Sequence, residues 1–206
     1  MQERIRLGTI GSIAVGVRVQ EGVILSGSKK ASYGQLKITA TSKVVTLIDN
    51  VGFAFAGQIA DMDNLRKILR YEMTRNKLTT ERRMTTSAIA NLLGNVLYSS
   101  KLFPYISFSL IGGYDKFGEN GPHLYTLDPI GSVLEEKYAA GGLSQDIAIG
   151  LLEEQYDETL NIDEAQHLVE ETMKTLASRD VLAGREVDIA RITKEGAEIE
   201  SKKLEV

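Results

Sequence analysis

The chain has 206 residues, a formal net charge of −4, 43% hydrophobic and 25% charged side chains, a composition that suits one globular domain with a substantial core. The mild acidity gives no global attraction to nucleic acid or to an anionic membrane, so protein or peptide partners are expected. There is no cysteine, which excludes disulfides, thiolate chemistry and Cys-based zinc sites and fits a reducing cytoplasm. Residues 1–8 mix both charge signs and lack a signal-peptide apolar core, and no later run of about 20 apolar residues could span a bilayer.

In chain order, residues 12–57 read as short strands. Ile13, Val15, Val17 and Val19 alternate, and Val23-Ile24-Leu25, residues 44–48 and Phe53-Ala54-Phe55 follow with Gly or Asn punctuation. The period then becomes helical, with Met62, Leu65, Ile68 and Leu69 on one face and Ile89, Leu92, Leu93, Val96 and Leu97 on a second. Pro104 is expected to stop that second helix, and residues 105–114, 123–127 and 133–138 return to strand character around a Gly-rich turn at 116–121. Residues 147–156 and the series Ala165, Leu168, Val169, Thr172 and Leu176 predict two more helices, the last entered through Asn161-Ile162-Asp163-Glu164. Strands at 186–193 and 197–201 finish the chain. Two amphipathic helix pairs are thus available to cover two sheets, an α+β arrangement of layers.

Gly11-Ser12-Ile13-Ala14-Val15-Gly16 places a hydroxyl residue directly after a glycine at a strand start, where an N-terminal-nucleophile hydrolase keeps its reactive residue behind a short leader. The run to Ser32 resembles the opening hairpin of proteasome β-type subunits. The resemblance extends over about residues 11–193. Further stretches that carry it are Leu47-Ile48-Asp49, Ala56-Gly57-Gln58-Ile59-Ala60-Asp61, Ser107-Phe108-Ser109-Leu110-Ile111-Gly112-Gly113-Tyr114-Asp115, Leu151-Leu152-Glu153-Glu154-Gln155-Tyr156 and Ser178-Arg179-Asp180 followed by Val187-Asp188-Ile189-Ala190. Order and spacing match the archaeal members best. The resemblance implies a four-layer αββα sandwich of the N-terminal-nucleophile hydrolase type, with residues 1–11 as a leader and 12–206 as a single domain. It also implies seven-membered β rings stacked between rings of α-type subunits around a chamber that degrades unfolded polypeptide. No metal or organic cofactor is implied, and separate proteasomal ATPases supply the threading energy.

In an active member of that family the processed chain begins with threonine, whose hydroxyl attacks the scissile carbonyl while its own α-amine takes the proton. An α-amine of pKa about 7.7 to 8.0 can serve as a base near neutrality and an internal amide cannot, so leader removal is obligatory. The nucleophile position falls on Ser12, and Asp180 retains an acidic residue that supports the amine. The family's activating lysine aligns with Val44, its acidic partner with Ser28, and two supporting serines with Leu143 and Ala183. Lys43 is adjacent, but strand alternation is expected to turn it to the opposite face. Each positioned acid–base interaction is typically worth about 10²- to 10⁴-fold in rate, so these losses predict an impaired site and a retained leader.

The expected protein is a non-catalytic β-type subunit, located in the cytoplasm and partnered with a separate active β subunit. The rivals are a working peptidase using Ser12 after leader removal and an independent amidohydrolase of the same fold. Thr9 offers a second Gly-Thr junction, but it lies three residues too early and an odd shift reverses the strand face. His123 and His167 sit in different contexts without convergent partners. Asp61-Met62-Asp63 opens a helix, where carboxylates favour the positive dipole end. The Gly112-Gly113 and Gly141-Gly142 pairs lack phosphate-loop spacing.

Overall fold

The structure is a computed structural model that describes residues 13–33, 36–38, 41–142, 144–180 and 183–205. The chain opens with the hairpin β1 (Ile13–Val19) and β2 (Gly22–Ser28), then a small hairpin, β3 (Ala31–Tyr33) and β4 (Leu36–Ile38), and the pair β5 (Val44–Ile48) and β6 (Val51–Gly57). Helices α1 (Ile59–Thr80) and α2 (Thr86–Ser99) lead into β7 (Ser107–Asp115), β8 (Gly121–Leu127), β9 (Val133–Glu135) and β10 (Tyr138–Gly142). Helices α3 (Gln145–Gln155) and α4 (Ile162–Arg179) precede β11 (Glu186–Thr193) and β12 (Ala197–Lys203).

Two antiparallel five-stranded sheets form, with orders β10-β1-β2-β11-β12 and β5-β6-β7-β8-β9. Three apolar layers hold them. Ile13, Val15, Val17 and Ile24 pack against Leu152, Val169, Met173 and Leu176 of α3 and α4. Phe53, Phe55 and Ile111 pack against Leu65, Leu69, Leu93 and Leu97 of α1 and α2. Between the sheets lie Ala14, Val23, Leu25, Val44, Ala54, Leu110, Leu124 and Ile192. This is the four-layer αββα sandwich expected from the sequence. Strands covered on both faces are buried throughout in β2 and β6, which is why their sequence reads as a continuous apolar run.

The inner layer is thin because small residues alternate with large ones. Leu25 is ringed by glycines: a Cβ on Gly16 would stand 3.0 Å from it, one on Gly52 3.2 Å and one on Gly112 3.2 Å. Local chemistry fixes the helix starts. Asn161 accepts from the amides of Asp163 and Glu164 while Glu164 reaches back to the Asn161 amide, completing a capping box. The Asp115 carboxylate, buried, takes the Thr86 amide at 2.9 Å and its hydroxyl at 2.8 Å at the start of α2. Glu21 in the β1–β2 turn accepts from the Ile162 amide at 3.0 Å, tying the first hairpin to α4.

Three local expectations differ from the structure. The stretch 133–138 is not one strand but β9 and β10, which belong to different sheets. The chain crosses between sheets at Glu136-Lys137, where the Arg18 amide donates to the Lys137 carbonyl at 2.8 Å. Helix α2 ends at Ser99, before Pro104, as the Ser100 and Lys101 amides turn back onto Leu97 and Tyr98 in tight i−3 bonds. The β3–β4 hairpin has no apolar periodicity strong enough to announce it.

Candidate active site

Ser12 and Thr9, with the whole leader, lie outside the described residues, so the site is built from what surrounds the start of β1. Ile13 stands opposite Gly142 of β10, and Ala14 opposite Gly27 of β2. Gly27 is the corner of the site: a Cβ there would meet Val44 Cγ2 at 3.0 Å, Lys43 Cβ at 3.6 Å and the Ile13 carbonyl oxygen at 3.8 Å. Residue 27 lacks a side chain where three segments converge.

Lys43 lies in the interior. Its side chain is fully buried, and its Nζ donates to the Lys30 carbonyl at 2.5 Å. Lys43 immediately precedes β5, whose first residue is Val44, and its carbonyl accepts from the Phe55 amide at 3.0 Å, one rung beyond the Val44–Ala54 pair. Its stem folds in against the Gly27 corner, while Val44 fills the layer between the sheets. Burial pushes the Lys43 amine down to about 8, since charge is disfavoured away from water. At neutral pH most of it still carries its proton.

Ser28, at the position expected of the lysine's acidic partner, is fully buried and its hydroxyl has no hydrogen-bond partner among the described residues. Among the described residues no carboxylate is paired with Lys43. Beside Gly27 on the neighbouring strand stands Asp188, also buried. Its Oδ1 lies 3.3 Å from Lys29 Nζ and accepts from Ser201 Oγ, and its Oδ2 has no partner among the described residues. Sequence reasoning passed over Asp188 as a site residue. Its signal was a carboxylate between Val187 and Ile189, both of which pack toward the helices, so that Asp188 must face the other sheet.

Asp180 closes α4 as its C-cap, with its amide on the Leu176 carbonyl at 2.8 Å. Its carboxylate accepts the hydroxyl proton of Ser144, the N-cap residue of α3. Leu143 lies outside the described residues, and it is its neighbour Ser144 that supplies a hydroxyl to Asp180. Ala183 is buried and donates its amide to the Asp180 carbonyl at 3.1 Å. The structure therefore brings Asp180 together with Ser144, and places the Lys43 stem and the Ile13 carbonyl around the Gly27 corner.

The remaining candidates lie elsewhere. His123 sits on β8 with Nδ1 2.9 Å from Glu135 and Nε2 2.9 Å from the Glu119 carbonyl. Arg18 reaches the same Glu135 carboxylate at 2.7 Å. His167 is exposed on α4. Asp61, in the first turn of α1, accepts from the Ile106 amide at 2.8 Å. Among the described residues no group of three or more His, Asp or Glu is placed to hold a metal ion, and no helix is long and apolar enough to cross a membrane.

A family model described as proteasome subunit matches residues 9–192. The chain is 39% identical over 180 residues to the proteasome subunit beta 1 of Ignicoccus hospitalis, covering 87% of this chain and 89% of that protein. It is 39% identical over 184 residues to the proteasome subunit beta 1 of Desulfurococcus amylolyticus, covering 89% and 90%. With the proteasome subunit beta 2 of Pyrobaculum calidifontis it shares 37% over 199 residues, covering 96% and 97%. The αββα sandwich, the Gly27 corner and these likenesses along nearly the full length agree, and the chain belongs to the proteasome β-subunit family.

Proposed function

We propose that this chain is a non-catalytic β-type subunit of the 20S core particle, a cytoplasmic assembly in which it sits in seven-membered β rings beside a separate active β subunit and α-type subunits. Its work is to complete the ring around a chamber that receives unfolded polypeptide threaded by ATPases. The observation that carries the reading is the pair Lys43 and Ser28: among the described residues, a buried ammonium that donates to a carbonyl and meets no carboxylate, and a buried hydroxyl without a partner at the place of the acid. Without a carboxylate the amine loses the partner that would favour its charged form, and its proton is directed to the Lys30 carbonyl. A serine hydroxyl at position 12, without that support and without the hydroxyl missing at Ala183, is a poor nucleophile both for substrate and for releasing its own leader.

A second reading is favoured by two specific placements. Lys43 packs at the Gly27 corner, which the Ile13 carbonyl also lines, and Ser144 does serve Asp180, so a working peptidase with Ser12 as nucleophile keeps part of its support. Both readings are separated by the intact mass of the chain recovered from particles assembled with its α-type and active β-type partners. A mass equal to the full chain, or lacking only Met1, is the expected result. A chain beginning at Ser12, with peptidase activity lost in Ser12→Ala, would overturn the first reading and establish the second.

A further inference from the structure

Both ring nitrogens of His123 face oxygen atoms that can only accept. Nδ1 lies 2.9 Å from the Glu135 carboxylate at the end of β9, and Nε2 lies 2.9 Å from the Glu119 carbonyl in the turn between β7 and β8. A neutral imidazole carries one proton and serves one of the two; only the imidazolium donates to both. The ring is 9% exposed, so a nitrogen left without its proton has little water to turn to. Residues 116–120 of the turn are exposed throughout, and a Cβ at Gly118 or Gly121 would meet nothing within 4 Å. Of residues 116–120, Glu119 alone has a hydrogen bond among the described residues, through its carbonyl to His123. Charged groups reach the ring from the elements around it: Glu135 from β9, Asp115 from β7, and Arg18 of β1, which holds the same Glu135 at 2.7 Å. Tyr125 of β8 stacks 6.2 Å from the ring with its hydroxyl 3.4 Å from Glu135, and helix α2 contributes no charged side chain. Burial opposes a charge on the ring, but the Glu119 carbonyl and the carboxylates of Glu135 and Asp115 raise its pKa.

We propose that His123 is a proton-operated latch, which pins the turn at 116–121 to the end of β9 and releases it when the ring loses its proton. The bond given up is the one to Glu119, because a single remaining proton is held better by a charged carboxylate than by a carbonyl. Glu135 meanwhile stays in place on Arg18. Below about pH 6.5, the ordinary value of the ring, the latch is closed; it loosens as pH rises from there through the raised value of the closed state. The turn and the start of β8 supply Asn120, Gly121 and Pro122 to the wall of a cleft of about 420 Å³ that Arg18, Lys137 and Tyr156 also line. Release of the turn therefore loosens one wall of that cleft.

The test follows the full chain by NMR from about pH 5.5 to 8.5, the range over which histidine changes charge. The chain has two histidines, and exposed His167 serves as the internal reference. His123 should titrate above His167, and over the same interval the amide order parameters of residues 117–120 should fall from about 0.85, a rigid backbone, to below about 0.6. Glu135→Gln removes the charge but leaves an oxygen to accept, and should move both midpoints down together. His123→Gln should leave the turn loose at every pH. A His123 midpoint at or below that of His167, a turn equally ordered across the range, or a loosening that still follows pH in His123→Gln overturns the proposal. If His123→Gln does not fold, Glu135→Gln decides alone: a release midpoint that stays in place overturns the latch, and one that moves down with the titration of the ring supports it.

Discussion

A charged amine held in the interior costs folding free energy, and Lys43, bonded to one carbonyl among the described residues, shows how much. Its displacement to about 8 from the ordinary 10.5 corresponds to about 3 kcal/mol, at about 1.4 per unit. The folded value is the lower one, so the penalty is full below pH 8 and fades as pH rises toward the unfolded value of about 10.4. Urea titrations should therefore show stability climbing between pH 8 and 10. Lys43→Met should raise stability at pH 7 by about 1–3 kcal/mol and remove that climb; a variant that keeps the climb would show that another group causes it. His123 carries the opposite sign. Burial opposes its charge, but the Glu119 carbonyl and the Glu135 carboxylate outweigh it and raise its pKa. That stabilisation is complete below about pH 6.5 and lost as pH rises through the folded value. Glu135→Gln should thus destabilise more at pH 6 than at pH 8, measured by thermal melts at both. Neither environment was readable from sequence: which carbonyl Lys43 meets depends on where β5 begins, a boundary that an apolar pattern leaves open by a residue.

Helix α2 depends on one carboxylate for its start. Asp115 takes both the Thr86 amide and hydroxyl, and Gly113, two residues earlier on β7, leaves room for that threonine: a Cβ there would stand 2.1 Å from Thr86 Oγ1. Asp115→Ala should cost about 1–3 kcal/mol, the scale of an unsatisfied buried donor, with the loss concentrated in faster amide exchange at the start of α2. Uniform loss of protection across the chain would argue against a local clamp. The four helices were legible because their apolar residues recur at helical spacing, and α4 also announced its capping box. The division of 133–138 was hidden, because a change of sheet needs only a bend at Glu136-Lys137 and leaves strand propensity untouched. At the site, Asp180 as a candidate could be read from order and spacing; Ser12, named in the same way, lies outside the described residues. The hydroxyl from Ser144 could not, because the junction between β10 and α3 decides which of two neighbouring residues turns toward Asp180.

At the scale of the molecule, the two sheets approach closely where glycines face Leu25. Gly112→Val would place a branched side chain where a single Cβ already stands 2.7 Å from Val23 Cγ1, wedging the sheets apart. Overpacking of this kind typically costs about 1–3 kcal/mol, and one cooperative melt shifted downward is expected; a melt unchanged from the parent would mean that the inner layer yields freely. The far edge of the first sheet has its own consequence. Beyond its first residue, β12 is exposed throughout, pairs on one side only with β11, and carries Glu198, Glu200, Lys202 and Lys203. An open ladder is a template on which a like strand can grow, and charge along it discourages that growth. The charges along β12 therefore disfavour edge-to-edge pairing between copies of this chain.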